Sequence, residues 1–235
     1  MKATATPLVD RLRDLIKREH TDEHAFDRRY GIDTGGYLPI ADQGLAASVH
    51  DYHGTPIHIL RRLLRRLPPI DRARTVFIDY GAGLGRCLFV ALEDGFARAI
   101  GIELCPEFHR RGLVNIQRAR LPEPDRARLR LEMTDAREFL PPDEPAVLFL
   151  FNPFDAATTA AVAGRIAARH REAPQPRHLI YYNPWYREAF DHHPAYATVA
   201  EGNFKRRWKR HRYYPWVIYR LVSSAYALNF ANDSH

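Results

Sequence analysis

The sequence predicts an α/β fold: a seven-stranded, mostly parallel sheet with helices on both faces and a last strand running antiparallel. Three observations carry this. From Val76 onward, short apolar runs alternate with longer segments of helical period, the pattern of βαβ units. The first of those runs opens into three glycines at alternate positions, "VFIDYGAGLGR", a turn that belongs on the carboxyl rim of such a sheet. The chain later runs through "EGNFKRRWKRHRYYPWVIYRL", two strand patterns joined by a polar stretch, which reads as a hairpin.

The elements follow in order. Residues 1–50 read as a helical and loop extension, a lid ahead of a domain spanning 51–235. "PLVDRLRDLIKREH" spaces Leu8, Leu12, Leu15 and Ile16 for a helix, and the glycine- and aspartate-rich "FDRRYGIDTGGYLPIADQG" reads as a loop. "GTPIHILRRLLRRL" offers Thr55 as N-cap, Pro56 at the first helical position, and an apolar stripe of Ile59, Leu60, Leu63, Leu64 and Leu67. Its arginines then form a polar helix face. The strand patterns are "TVFIDY", "RAIGIE", "RLRLEM", "VLFLFN", "HLIYYN", "ATVAEG" and "PWVIYRL". Helical patterns lie in "GRCLFVALED", "PEFHRRGLVNIQRARL" and "DAATTAAVAGRIAARHRE".

Composition bounds the function. A chain of 235 residues with 46% apolar content builds one sizeable core and is not wholesale disordered. No run approaches the ~18 apolar residues of a membrane span, and the N-terminus lacks the apolar stretch of a signal peptide. No membrane partner is expected, and the default compartment is cytoplasmic. Cys87 and Cys105 lack metal-ligand spacing and read as reduced, structural thiols; the twelve histidines are scattered apart from His192-His193. No metal site is expected. Net charge is +7, and 31 of the 35 basic residues are arginine. That bias fits phosphate or carboxylate recognition, and equally a GC-rich genome.

The glycine turn is the informative motif. A dinucleotide site wants a small residue at the sixth position, which here is Arg86; a P-loop wants a lysine that is absent. Asp79, two residues before the first glycine, would repel a phosphate but suits a cationic ligand. Gly81, Gly83 and Gly85 let the backbone approach that ligand with no Cβ in the way. Glu103 ends the next strand, where a carboxylate accepts from the vicinal hydroxyls of a ribose. Asp135 lies just beyond the third strand, where a carboxylate can take the exocyclic amine of adenine.

The ordered series "FIDYGAGLGR … IGIELCPE … TDAREF … LFNPF" resembles the seven-strand (class I) S-adenosylmethionine (SAM)-dependent methyltransferases, over roughly Asp51 to Leu221. The resemblance implies a Rossmann-like three-layer α/β/α sandwich with SAM as cofactor. It assigns Asp79, Gly81, Gly83 and Gly85 to the amino-acid end, Glu103 to the ribose, Asp135 to adenine, and Asn152 to the place facing the methyl. "DYHGT" is similar to a Tyr-Gly-x-Thr loop that closes over the cofactor, which assigns Tyr52 and Thr55 there as well.

Asn152 and Phe154 are the implied catalytic pair, orienting an acceptor nitrogen. Amino-group methyltransferases of adenine, cytosine and glutamine carry [DNS]-P-P-[YFW]; here one proline is missing and the ring comes one residue early. The non-SET histone-lysine branch carries Asn-x-Phe, which Asn152-Pro153-Phe154 matches. A protein lysine amine is therefore the first expectation, with a nucleic-acid amino group or a small molecule as the alternative. A SAM-binding partner subunit without transfer activity is a reading of another class. Tyr181, Tyr182, Asn183 and Trp185 fall near the same rim, where they either line the acceptor pocket or pack the next helix. The basic hairpin 204–216, with Phe204, Trp208 and Tyr213 among its cations, suits nucleic acid or an acidic protein.

Overall fold

The structure is a computed structural model that describes residues 22–35, 37–38, 52–205 and 213–223. The first expected helix, around Leu8 to Ile16, and the basic tip 206–212 lie outside the described residues. The described residues begin with helix α1 (residues 22–30), followed by β1 (Tyr37–Leu38) paired antiparallel with β2 (Tyr52–His53). Next come α2 (Ile57–Leu64), β3 (Val76–Tyr80), α3 (Arg86–Glu93), β4 (Arg98–Glu103), α4 (Pro106–Arg118), the turn α5 (Glu123–Arg126) and β5 (Leu129–Met133). The rest is β6 (Ala146–Phe151), α6 (Ala156–Glu172), β7 (Arg177–Tyr182), the turn α7 (Glu188–Asp191), β8 (Tyr196–Lys205) and β9 (Tyr213–Leu221).

β3 to β9 form one seven-stranded sheet in the order β5-β4-β3-β6-β7-β9-β8, in which β9 alone runs antiparallel. All seven strand patterns of the sequence are in it. Strand order reverses between β3 and β6, whose residues Tyr80 and Leu150 stand opposite each other. In an open α/β sheet that switch point, beyond the carboxyl ends, is where ligands bind.

The four central strands β4, β3, β6 and β7 are buried along almost their whole length because the sheet is covered on both faces. Phe77, Val147, Phe149 and Ile180 face α2 to α4 through Leu60, Leu63, Leu88, Phe89 and Ile116. Val76, Ile78, Leu148, Leu150 and Leu179 face α6 and α7 through Val162, Ile166 and Phe190. One local expectation is corrected. Thr55 does not cap α2: the N-cap is Pro56, without a side-chain bond, and the Thr55 side chain is turned elsewhere. Among the described residues no helix is long and apolar enough to cross a membrane.

α4 meets the glycine turn through a residue with no side chain. A Cβ on Gly112 would lie 2.4 Å from Leu131 Cδ2 and 3.2 Å from the carbonyl oxygen of Gly83. Gly112→Ala therefore pushes α4 off both β5 and the turn. The expected cost is roughly 1–3 kcal/mol of unfolding free energy, typical of an overpacked core, read by urea titration.

Candidate functional site

The turn after β3 is held from several sides. The amides of Gly81 and Ala82 both donate to the carbonyl of Ile102, each at 2.9 Å. The Gly83 amide donates to Glu103 Oε2 at 2.7 Å, while the Cys105 amide donates to Oε1 at 2.8 Å. Asn115 Nδ2, from α4, donates to the Leu84 carbonyl at 3.0 Å. Gly81, Gly83 and Gly85 have φ of 80°, 54° and 85°, a left-handed region that strains any side chain. Gly81 has a second reason to be glycine, since a Cβ there would lie 2.6 Å from Pro153 Cβ. The proline of "FNPF" thus sits on the first glycine and fixes the exit of β6 against the exit of β3.

Asp79 lies under this turn, 3% exposed. Burial pushes its carboxyl up to about 7; the Cys87 thiol beside it opposes the rise, and Glu103 adds to it. Cys87 also bonds the Thr55 side chain, so Thr55, Cys87 and Asp79 form one chain of hydrogen bonds. Burial pushes the thiol well up, so it is the neutral donor. Among the described residues Asp79 has no ion pair. Glu103, 5% exposed, is raised by burial and lowered by the amides of Cys105, Gly83 and Leu104. With three amides against its four lone pairs, the carboxylate keeps one for a hydroxyl donor.

The other expected residues fall out unevenly. Asp135 is half-buried, and its carboxylate is clamped by Arg137 through Nε at 3.0 Å, Nη2 at 2.5 Å and the amide at 2.8 Å. That guanidinium holds it below the usual carboxylate range, so an adenine amine would have to share it. Asn152 is 7% exposed with φ 43°, and its Oδ1 accepts from the Tyr181 hydroxyl at 3.1 Å. Phe154 is packed in the core cluster beneath α6. It anchors the turn from inside. Thr55 is buried as described; of Tyr52 only the backbone is described, paired opposite Leu38.

Four polar side chains went unrecognised in the sequence. Arg86 reads there as an obstacle to close packing, yet it is 3% exposed and turned away from the sheet. Its Nε donates to Thr34 Oγ1 (2.8 Å), Nη2 to the Thr34 carbonyl (2.7 Å) and Nη1 to the Thr55 carbonyl (3.3 Å), with the Glu23 carboxylate 3.3 Å away. Asp27 completes the knot, accepting from the Thr34 amide at 2.9 Å and its hydroxyl at 2.7 Å. Gly54 must be glycine because a Cβ would lie 2.7 Å from Arg86 Nη1. Asn115 exchanges backbone bonds with Asp33, at 3.0 and 2.9 Å. The signal for Asn115 was a polar residue on the buried stripe of α4; that for Asp27 and Thr34 was the density of acids and hydroxyls in "FDRRYGIDT".

Set beside known proteins, the fold recurs. The Bacillus subtilis M1A22 tRNA methyltransferase TrmK superposes with TM-score 0.50 over 74% of this chain and 68% of that one, at 13% identity. The fold is that of the class I methyltransferases. The glycopeptide N-methyltransferase MtfA in complex with SAM shares it at TM-score 0.52 and 14% identity, over 71% of this chain and 93% of that chain. So does the O-methyltransferase module StiE O-MT at TM-score 0.52 and 10% identity, over 75% and 78%. In sequence, the ribosomal protein L11 methyltransferase of Serratia proteamaculans is 37% identical over 108 residues, 46% of this chain. Those residues span about a third of that relative's length, 31%. No family model matches the chain. N- and O-methyltransferases share the fold, so the fold does not choose the acceptor. Among the described residues no three His, Cys, Asp or Glu side chains are placed to hold a metal.

Two outcomes follow. Arg86→Met leaves Glu23, Thr34 and two carbonyls without their donor at a buried place, and is expected to cost roughly 2–4 kcal/mol by denaturant titration. Protease cleavage within 22–35 should appear at the same time. Asp79 acts in the opposite sense. Its folded value near 7 exceeds the ordinary 3.8, so it adds stability below pH ~4 that is lost as pH rises through 7. Ligand-free Asp79→Asn should melt on the order of 5 °C above wild type at pH 8, and much closer to it at pH 4.

Proposed function

We propose that the protein is a SAM-dependent methyltransferase that transfers the methyl group to an acceptor nitrogen. One observation carries this reading: a carboxylate buried at the sheet's switch point with a thiol, and no cation among the described residues, as its partner. A buried acid in that setting suits a cation supplied from outside. The methionine end of SAM has one.

The residues fit the rest of the cofactor. Asp79 would hold the ammonium, with the glycine turn giving it room. The remaining lone pair of Glu103 suits a ribose hydroxyl. Asp135, shared with Arg137, suits the adenine amine. Thr55, pinned to Cys87 and Arg86, would close over the site from the N-terminal side with Tyr52 near it in sequence. SAM supplies a methyl already made electrophilic by its sulfonium. What remains for the protein is to place a nucleophile and exclude water. Asn152 is suited to the first task, because the Tyr181 hydroxyl occupies one lone pair of Oδ1 and fixes the amide, while the second lone pair can accept from an acceptor N–H.

The acceptor is the open part. A lysine amine was favoured by the Asn-x-Phe match, but the aromatic half of that match, Phe154, is in the core. Both the lysine and the nucleic-acid amino group satisfy Asn152 equally well. Labelled-methyl transfer into cell extract, followed by separate protease and nuclease digestion, sorts them by which treatment releases the label.

The cofactor reading has its own test. An ammonium binds the ionised form of Asp79, so affinity falls as that carboxyl takes up its proton below pH 7. Calorimetric titration with SAM should show binding about eightfold weaker at pH 6 than at pH 7.5. Asp79→Asn should bind at least tenfold more weakly at pH 7.5 and lose that part of the pH dependence. Equal affinity for wild type and variant at pH 7.5 would remove the basis of the proposal.

A further inference from the structure

β5, "LRLEM", ends the sheet, and among the described residues no strand lies beyond it. Which of its backbone groups face outward follows from its pairing. The Ala99 amide donates to the Arg128 carbonyl at 2.9 Å, and Ala99 stands opposite Leu129. In a parallel ladder that phase turns the amides and carbonyls of Arg130 and Glu132 toward β4. Those of Leu129, Leu131 and Met133 point away from the sheet. One contact agrees with this: the Leu131 carbonyl accepts from a side chain, His109 Nε2, at 3.2 Å. That bond takes one of the carbonyl's two lone pairs and leaves the other.

An open edge is a template for a further strand, and it is commonly blunted by lysines, a proline or a bulge. β5 has none of these. Its two charges, Arg130 and Glu132, have opposite sign and lie 3.8 Å apart. They stand opposite Ile100 and Ile102, and on that face they line an open cleft with Phe139 and Leu140. Leu129, Leu131 and Met133 alternate with them on the other face, where Met133 is 59% exposed.

Two copies of this strand, laid antiparallel about a two-fold axis through Leu131, complement each other. Leu131 meets its own counterpart with outward amide and carbonyl on both sides, as a hydrogen-bonded pair. Arg130 then falls opposite Glu132 of the partner subunit, and Glu132 opposite the partner's Arg130. These are the non-hydrogen-bonded positions, where side chains come closest. Met133 falls opposite Leu129 of the partner subunit. The neighbouring two-fold registers, through Arg130 or through Glu132, set like charges against each other.

We propose that β5 is a self-association edge, on which a second copy of this chain pairs antiparallel through Leu131. The pairing needs no cofactor and stands apart from the methyltransferase reading. Five residues a side make a narrow contact, so the dimer is of the weak, reversible class. β5 also leads into Asp135, two residues past Met133, so the second copy stands beside that end of the site.

The test is sedimentation velocity of the full chain at low salt, from about 1 µM to about 300 µM. Wild type should pass from monomer to dimer with a Kd on the order of 100 µM. Arg130→Glu and Glu132→Arg each set like charges opposite each other, and each should weaken self-association by about tenfold or more. The double variant Arg130→Glu, Glu132→Arg should return to within about threefold of wild type. An equimolar mixture of the two single variants should form a heterodimer about as tight as the wild-type dimer, because one chain then carries two acids on this face and the other two arginines. Urea titration should show every variant folded. A wild type that stays monomeric throughout overturns the proposal. So does a dimer that the single variants leave intact, or a double variant or mixture that fails to associate.

Discussion

At the rim a proline ring packs directly onto a glycine. Pro153 occupies the space where any side chain at position 81 would go. That single contact brings the exits of β3 and β6 together at the point where strand order reverses. Much else at the rim goes with it. Asn152, just before the proline, takes a left-handed backbone, and the Tyr181 hydroxyl reaches its side chain. From the other side α4 closes on the same turn through Gly112 and Asn115. A turn packed this tightly cannot drift, and a ligand bound on it meets backbone groups whose positions are already decided.

The fold was legible because its signal is local and repeated. Continuous apolar strands alternating with helical stripes describe a doubly covered sheet, and each run reports on itself. Asp79 and Glu103 were legible for a related reason: an acid at a strand end is chemically conspicuous, and the structure buries both under the turn. What escaped depends on where side chains point after the chain has folded. Arg86 and Thr34 are 52 positions apart, and nothing in the spacing says that one seats the other. Phe154 matches a motif letter by letter, yet its ring goes inward, because the residue that follows it, Asp155, caps α6 and the helix draws the turn down onto the core. Asp135 has the expected place, but an arginine two residues on had first claim to its oxygens.

Arg86 and Asp79 show how such long-range placement decides chemistry. They sit at the two ends of the same turn with opposite charge, and they do not pair. The guanidinium is turned outward and spent on Glu23, Thr34 and the Thr55 carbonyl. Had it faced inward, Asp79 would be one half of an internal ion pair. The segment 22–35 therefore does more than cover the site. By holding Arg86, it leaves Asp79 without an ion pair among the described residues.

Burial of that unpaired acid costs free energy. In the ligand-free protein near neutral pH, desolvation favours the protonated Asp79, and the neighbouring carboxylate of Glu103 reinforces it. The same free energy that disfavours the bare carboxylate becomes available when a cation arrives, since the pair replaces an unpaired charge. One proton thus links the stability of the empty site to the affinity of the filled one. A more stable arrangement, with an amide or an internal cation at position 79, would be a weaker receptor. The cost of burying Asp79 is the physical argument behind the cation proposed for this turn.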